Sequence, residues 1–196
     1  MKKTLLLWIA MTIVAIGWEG SAKAQDLAVK TNLLNDAFLN ANVGAEVGLA
    51  PRWTFDITGS LNAWPVNEQR WKHWLMKPEL RYWFCDRFAG HFLGVHALGG
   101  EYNVGQIKND FSFLGTDFSE LTDNRFQGWF IGAGVAYGYA FVLGRHLNLE
   151  LELGAGYAYT RYDVFECRDC GRKVAEDQPH HYVGPTKAAI NLVYVF

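Results

Sequence analysis

The chain has 196 residues with 18 basic and 20 acidic side chains, which suits one domain and argues against a nucleic-acid partner, since that needs a basic face. Its outliers are aromatics and glycine: 8 Trp, 9 Tyr and 13 Phe stand beside 20 Gly and only 5 Pro. That pairing is a cue for strands that curl into a barrel, whereas a mean hydropathy near zero is common among soluble proteins and decides nothing.

Residues 1–24 read as a signal peptide. Lys2 and Lys3 form a basic start, Leu5 to Gly17 is uncharged and mostly apolar, and Ala22-Lys23-Ala24 is a small-x-small cleavage site before Gln25. The apolar run is too short for a membrane helix, which needs about 20 residues. No Cys follows the cleavage site, so no lipid anchor is indicated. Removing Lys2, Lys3, Lys23 and Glu19 leaves 15 basic and 19 acidic groups, a mature net charge of −4 over residues 25–196.

The mature chain alternates with a period of two, the signature of strands. Eight segments are predicted. Leu27, Val29, Thr31 and Leu33 alternate with Ala28, Lys30 and Asn32. Ala41 to Leu49 alternates with Asn42, Gly44, Glu46 and Gly48, and Trp53 to Leu61 with Thr54, Asp56, Thr58 and Ser60. Trp74, Met76, Pro78, Leu80, Tyr82 and Phe84 alternate with Leu75, Lys77, Glu79, Arg81 and Trp83. The fifth segment, His91 to Tyr102, is the least regular, with Leu93, Val95 and Ala97 assigned outward. The sixth alternates large Trp129, Ile131, Val135, Tyr137, Tyr139 and Phe141 with glycine and other partners. In the seventh, Leu147, Leu149, Leu151 and Leu153 alternate with Asn148, Glu150, Glu152 and Gly154. The last sets Thr186, Ala188, Ile190, Leu192, Tyr194 and Phe196 against Lys187, Ala189, Asn191, Val193 and Val195.

Connections near Ala50-Pro51-Arg52, Cys85 to Gly90 and Gly144-Arg145 are short. Those at Asp36–Asn40, Pro65–Trp71, Asn103–Arg125 and Asp163–His181 are mostly longer. Short periplasmic turns, longer outer loops and an even strand count are the habit of outer-membrane barrels, with both termini in the periplasm. The expectation is therefore an all-β, eight-stranded antiparallel up-and-down transmembrane barrel with a charged, side-chain-filled interior. Phe126 to Gly144 carries no charge and invites a helical alternative, with glycines spaced as in membrane-helix packing. Five glycines make a poor helix and the alternation is strict, so a strand is predicted.

A soluble eight-stranded barrel is the main competitor, because the charged rows could equally be a solvated outer face. The aromatics favour the membrane. Trp53, Tyr82, Phe84, Phe141, Tyr194 and Phe196 should gather at one end, and Trp74, Trp129, Tyr157, Tyr159 and Tyr182 at the other. Two aromatic girdles are what a bilayer's two interfaces select.

Lys30-Thr31-Asn32-Leu33-Leu34, Trp71-Lys72-His73-Trp74, Pro78-Glu79-Leu80-Arg81-Tyr82-Trp83-Phe84, Gly90-His91-Phe92-Leu93-Gly94, Gly128-Trp129-Phe130 and Gly184-Pro185-Thr186-Lys187 together resemble a family of small outer-membrane barrels of unknown function. That family's genes often lie beside fimbrial-subunit genes in anaerobic Gram-negative bacteria. The resemblance spans the mature chain and implies an outer-membrane location with a possible link to fimbrial or other envelope proteins. It implies no catalytic residues. Tyr194-Val195-Phe196 also resembles the terminal aromatic signal read by the barrel-assembly machinery.

The inward row holds Lys30, Glu46, Asp56, Lys77, Glu79, Arg81, Glu150, Glu152 and Lys187. Unpaired buried charge is costly and an eight-stranded barrel is just wide enough for side chains to fill, so an ion-paired plug is expected in preference to catalysis or conduction. In the last outer loop, Cys167 and Cys170 are expected to form a disulfide in an exported protein; with His180 and His181 they are a weaker metal candidate, because adjacent histidines cannot easily both ligate. Cys85 is left over. Phe111, Phe113, Leu114, Phe118 and Leu121 in the long loop form a partner-docking patch or a lid, two readings of equal standing. No cofactor is expected. The leading function is a non-enzymatic barrel whose outer loops bind or support envelope components. The alternative is a lipid-modifying or proteolytic outer-membrane enzyme using a rim histidine, from His73, His96, His180 and His181, with Ser112 or Ser119.

Overall fold

The computed structural model describes residues 26–63, 70–105, 112–113, 116–117, 125–166 and 172–196. Residues 1–24, expected to be a signal peptide, lie outside them, as do Cys167, Cys170, Phe111, Leu114, Phe118, Leu121 and Ser119.

Strands β1 (Leu27–Asn32), β2 (Ala41–Ala50), β3 (Trp53–Asn62), β4 (Arg70–Trp83), β5 (Gly90–Gly105), β8 (Arg125–Val142), β9 (Leu147–Phe165) and β10 (Lys173–Val195) each pair antiparallel with their neighbours. Between β5 and β8, the short strands β6 (Ser112–Phe113) and β7 (Thr116–Asp117) pair only with each other. The first long strand also pairs with the last, from Ala28↔Val195 to Asn32↔Asn191, so the eight form one ring-like sheet. No helix of the described residues is long and apolar enough to cross a membrane, a fact that says nothing of strands.

The period-two pattern accounts for this sheet. Branched and aromatic side chains fit one pleated face, and each successive residue points the other way. The large apolar row faces the exterior: Leu147, Leu151 and Leu153 are exposed, Leu153 by 72%, while Glu150 and Glu152 between them are 2% exposed and face in. Leu93, Val95 and Ala97 point outward as expected, and Arg125–Val142 is strand throughout, which disposes of the helical alternative.

Three expectations need correction. The first connection is not plain loop and Leu33 is not strand: a short helix α1 (Leu33–Ala37) starts there, because the Asn32 side chain accepts a hydrogen bond from the Leu34 N–H and caps it. The last outer connection is far shorter than Asp163–His181. The β9–β10 ladder continues upward, with His180 opposite Thr160 and His181 opposite Tyr159. Thr186 was expected outward. A register shift between Pro185 and Lys187 disturbs the alternation there, and the Thr186 hydroxyl lies 2.8 Å from the buried ring of His96.

The ring has two unlike ends. Pro51–Arg52, Cys85–Ala89 and Leu143–His146 make tight connections at one end, where Asp26 and Phe196 also lie. The tall strands β5, β8, β9 and β10 rise toward the other.

Candidate functional site

Near the short-turn end the interior is apolar. Trp83, Phe88, Phe92, Ala28, Ala140, Val193 and Val195 form a buried cluster, with ring centroids 4.7 Å apart for Trp83–Phe92 and 6.1 Å for Trp83–Phe88. Phe88 has a left-handed backbone (φ 63°), and its carbonyl accepts from Asn148 Nδ2 at 2.7 Å. The turn thus tucks one ring inside.

Charge begins directly above. The Arg81 guanidinium lies over the Phe92 ring, 4.6 Å from its centroid, and reaches four carboxylates: Glu46 at 2.7 Å, Glu79 at 2.6 Å, Glu150 at 3.0 Å and Glu152 at 2.9 Å. Lys30 contacts Glu46, lies 2.9 Å from Asp56, and is 3.6 Å from Glu150. Lys187 contacts Glu79 at 2.6 Å and Glu152 at 2.9 Å. Neutral donors take further lone pairs: Thr54 on Glu46 at 2.5 Å, Thr58 on Asp56 at 3.0 Å and Asn191 on Glu150 at 2.6 Å. The Trp83 indole donates to Thr54 at 2.9 Å and ties the apolar layer to the ionic one.

Eight of the nine inward charges named from the sequence therefore meet in one network. Lys77, the ninth, is half-buried on β4, and among the described residues no ion pair joins it to a carboxylate. Each of the five carboxylates has a cation within 3.0 Å.

Glycine makes room for these long side chains. A Cβ on Gly94 would stand 2.5 Å from a Glu79 oxygen, and one on Gly134 would stand 2.8 Å from His96 Nε2. One on Gly138 would collide with the Phe92 ring. The small residues of β8 thus form the flat wall against which Phe92 and His96 lie.

His96, one of the four candidate rim histidines, is not at the rim. It is 1% exposed and sits deep inside, with Nε2 on Thr186 and Nδ1 3.6 Å from Glu79 Oε2. The phase of β5 pointed there: if Leu93, Val95 and Ala97 face out, residue 96 faces in. Thr54, Trp83 and Asn191, which the alternation puts in the inward row, and Phe92 belong to this interior too; only Phe88, in a turn, carried no periodic signal.

The other named residues do not converge. His73 lies at the long-loop end of β4, half-buried, and His181 is exposed on β10, accepting or donating a 2.5 Å hydrogen bond with the Tyr157 hydroxyl. His180 is half-buried, Ser112 and Phe113 belong to the small β6–β7 pair, and Cys85 is an exposed free thiol. No group of three or more metal-binding side chains occurs among the described residues.

On the exterior, aromatic rings meet at both ends. Trp53–Tyr82 (5.1 Å), Tyr139–Phe141 (4.5 Å) and Tyr194–Phe196 (5.0 Å) lie toward the short turns. Trp129–Tyr159 (5.9 Å) and Tyr159–His181 (5.1 Å) lie toward the long connections. Past this second belt the outward row turns polar: Arg161 pairs with Asp177 at 3.1 Å and Lys173 with Asp163 at 3.0 Å. The Asp177 N–H and the Lys173 ammonium hold the half-buried Asp163 carboxyl below its ordinary range.

At the long-loop end a cavity of about 600 Å³ is lined by residues of both rows, among them the outward Leu61, Trp74, Trp129 and Arg161 and the inward Asn62 and Tyr102. The Tyr102 hydroxyl is anchored on Thr160 at 2.9 Å.

No curated protein and no solved structure matches the chain. A family model does, over residues 6–196, and the chain belongs to that family, described as a protein of unknown function (DUF3575).

Proposed function

We propose that this chain is a closed transmembrane barrel of the Gram-negative outer membrane, exported by residues 1–24, with both termini in the periplasm. Its long-loop end faces outward and binds or supports envelope components, fimbrial proteins among them. The protein acts as an anchored, plugged scaffold and not as an enzyme or a pore.

The partition of side chains carries this reading. Leucine, valine and aromatic residues cover the exterior of all eight strands while Lys30, Arg81, Lys187 and five carboxylates fill the inside. Soluble proteins rarely expose contiguous apolar surface beyond a few hundred Å², and this belt encircles the molecule between two aromatic girdles. Lipid is the solvent that tolerates it. The plug follows from the same geometry, because a conducting path would have to cross ion pairs packed on the Trp83–Phe88–Phe92 cluster.

Expression of the full chain in a Gram-negative host tests the proposal. The expected result is an outer-membrane fraction that migrates faster on gels unheated than boiled, and an epitope inserted at residues 167–171 that antibody reaches on intact cells. Recovery in the soluble periplasm, or an epitope reached only after lysis, refutes it. Planar-bilayer recordings should show no steady conductance from the wild type.

A further inference from the structure

We infer that the ring has a side entrance between α1 and β10, and that an acyl chain of an outer-leaflet lipid lies in it. The inference rests on the bilayer placement proposed above and names a ligand for the part of the ring above the ionic layer.

The opening follows from strand length. A strand that crosses a membrane needs about 9–11 residues, and β1 has 6. It meets β10 only from Ala28↔Val195 to Asn32↔Asn191, and β2 only from Leu27↔Val47 to Lys30↔Gly44. Beyond Asn191, β10 runs on to Lys173 with β9 as its one partner strand among the described residues. The ring is therefore closed at its short-turn end and has a gap above β1. α1 stands in that gap beside β1, β2 and β10, but it buries none of its residues. Leu33 at its start and Phe38 and Leu39 just past its end stay exposed, so the helix does not seal the wall.

The flank of β10 that borders the gap selects the occupant. Asn32 takes its first rung: the side chain donates to the Ala188 carbonyl at 3.4 Å and accepts from the Ile190 N–H at 3.2 Å. Pro185 and Pro179 stand opposite Ala155 and Arg161 of β9, and a proline is tolerated in a strand where its nitrogen faces away from the ladder. Both therefore leave the gap side without a donor, and the Pro185 carbonyl accepts from the Tyr182 hydroxyl at 3.2 Å. A docking strand needs a run of free main-chain donors and acceptors, which this flank has largely given up. Hydrocarbon needs none, and the exterior apolar belt reaches the lips of the gap through the exposed Val29, Val43 and Val183. The inner wall behind it suits the same guest. Phe130 and Gly132 on β8 and Gly156 and Ala158 on β9 are half-exposed, whereas the inward residues at the ionic layer below are buried. The rung Tyr182–Ala158–Gly132–Leu98 leads from the edge of the gap along this wall, and Gly132 leaves a trough between Ala158 and Leu98. Methylene groups laid there exchange water for apolar contact.

Photolabelling tests it. The full chain is folded into phosphatidylcholine vesicles doped with a phosphatidylcholine that carries a diazirine midway along one acyl chain, then irradiated, and its adducts are mapped by mass spectrometry. The expected map has adducts on the inward Phe130, Ala158 or Tyr182 as well as on the outward Val135 and Leu153. Ala158→Phe and the milder Ala158→Leu fill the trough, and each that keeps the gel shift should lose the inward adducts while the outward ones remain. If neither variant folds, the wild-type map decides alone. Adducts confined to the outward row overturn the inference and leave the bilayer placement standing, as do inward adducts that survive a folded filling variant. Absence of adducts from the outward row as well sinks the bilayer placement itself, a different result on the same map.

Discussion

Replacing Arg81 with methionine is the sharpest test of the interior. The substitution keeps much of the stem and its packing on Phe92 but removes the one cation that touches Glu46, Glu79, Glu150 and Glu152. All four partners are at most 2% exposed, so water cannot replace the lost contacts. Removing one partner of a buried ion pair costs about 3–5 kcal/mol, because the charge left behind keeps its desolvation penalty. Four carboxylates share this loss. Lys187 still reaches Glu79 and Glu152, and Lys30 still reaches Glu46 and Glu150, so the total should stay near the upper end of that range and not four times it. A change of 4 kcal/mol is close to a thousandfold in the folding equilibrium. Lys77→Met, four residues along the same strand, removes an equal charge that no described carboxylate contacts, and should cost about 1 kcal/mol or less. Urea titration of the folded chain in lipid vesicles, followed by tryptophan fluorescence and the gel shift, measures both. If the two variants are destabilised equally, or R81M by under 1 kcal/mol, the network is not what orders the interior.

The exterior predicts the opposite sensitivity: Val135→Arg, at a position 62% exposed, should cost about 2–4 kcal/mol in vesicles if it meets mid-bilayer lipid, and an unchanged midpoint would tell against membrane insertion. Gly138→Ala forces a methyl against the Phe92 ring and should destabilise by about 1–3 kcal/mol, whereas Gly59→Ala, with open space around it, should be nearly neutral in the same titration. At the outer hairpin, Asp163 has a lowered pKa, so its bonds to the Asp177 N–H and Lys173 are complete above its unfolded value and lost as pH falls through its folded one. Amide exchange at Asp177 should therefore speed up in acid beyond its intrinsic pH dependence, and Asp163→Asn should abolish that extra step while leaving the rest of the ring protected.

Most of the ring was readable from residue order because exposed and buried environments alternate at each step of a strand. Leu147 to Leu153 and Trp129 to Phe141 needed nothing more than their period. What escaped were features that depend on a neighbour distant in sequence. Thr186 left its row because of an irregularity beside Pro185, where the strand has no N–H to give. The capping of α1 required Asn32 to fold back on Leu34, and the same side chain also bonds Ala188 and Ile190 on β10, 156 and 158 residues away. His96 was assigned by residue type to a reactive rim although the phase of its own strand put it inside. The long-loop cavity had no signal at all, since Asn62, Tyr102 and Tyr162 come from three strands and converge only once the ring is formed.

Buried ion pairs are poor sources of net stability, yet they are strong determinants of register, and this interior uses them in the second way. A one-residue slip of β9 would turn Glu150 and Glu152 outward and Leu149, Leu151 and Leu153 inward. In water that error is partly forgiven, because an exposed glutamate is well solvated. In lipid it is not. Each misplaced carboxylate would face hydrocarbon, and Arg81 and Lys187 would lose partners that now lie at 2.9 Å. The hydrophobic effect cannot choose the inside of a molecule whose outside is already apolar, so the choice passes to charge complementarity. If the chain sits in a bilayer as proposed, the period-two leucines make it soluble there, and the charges between them decide which way each strand faces.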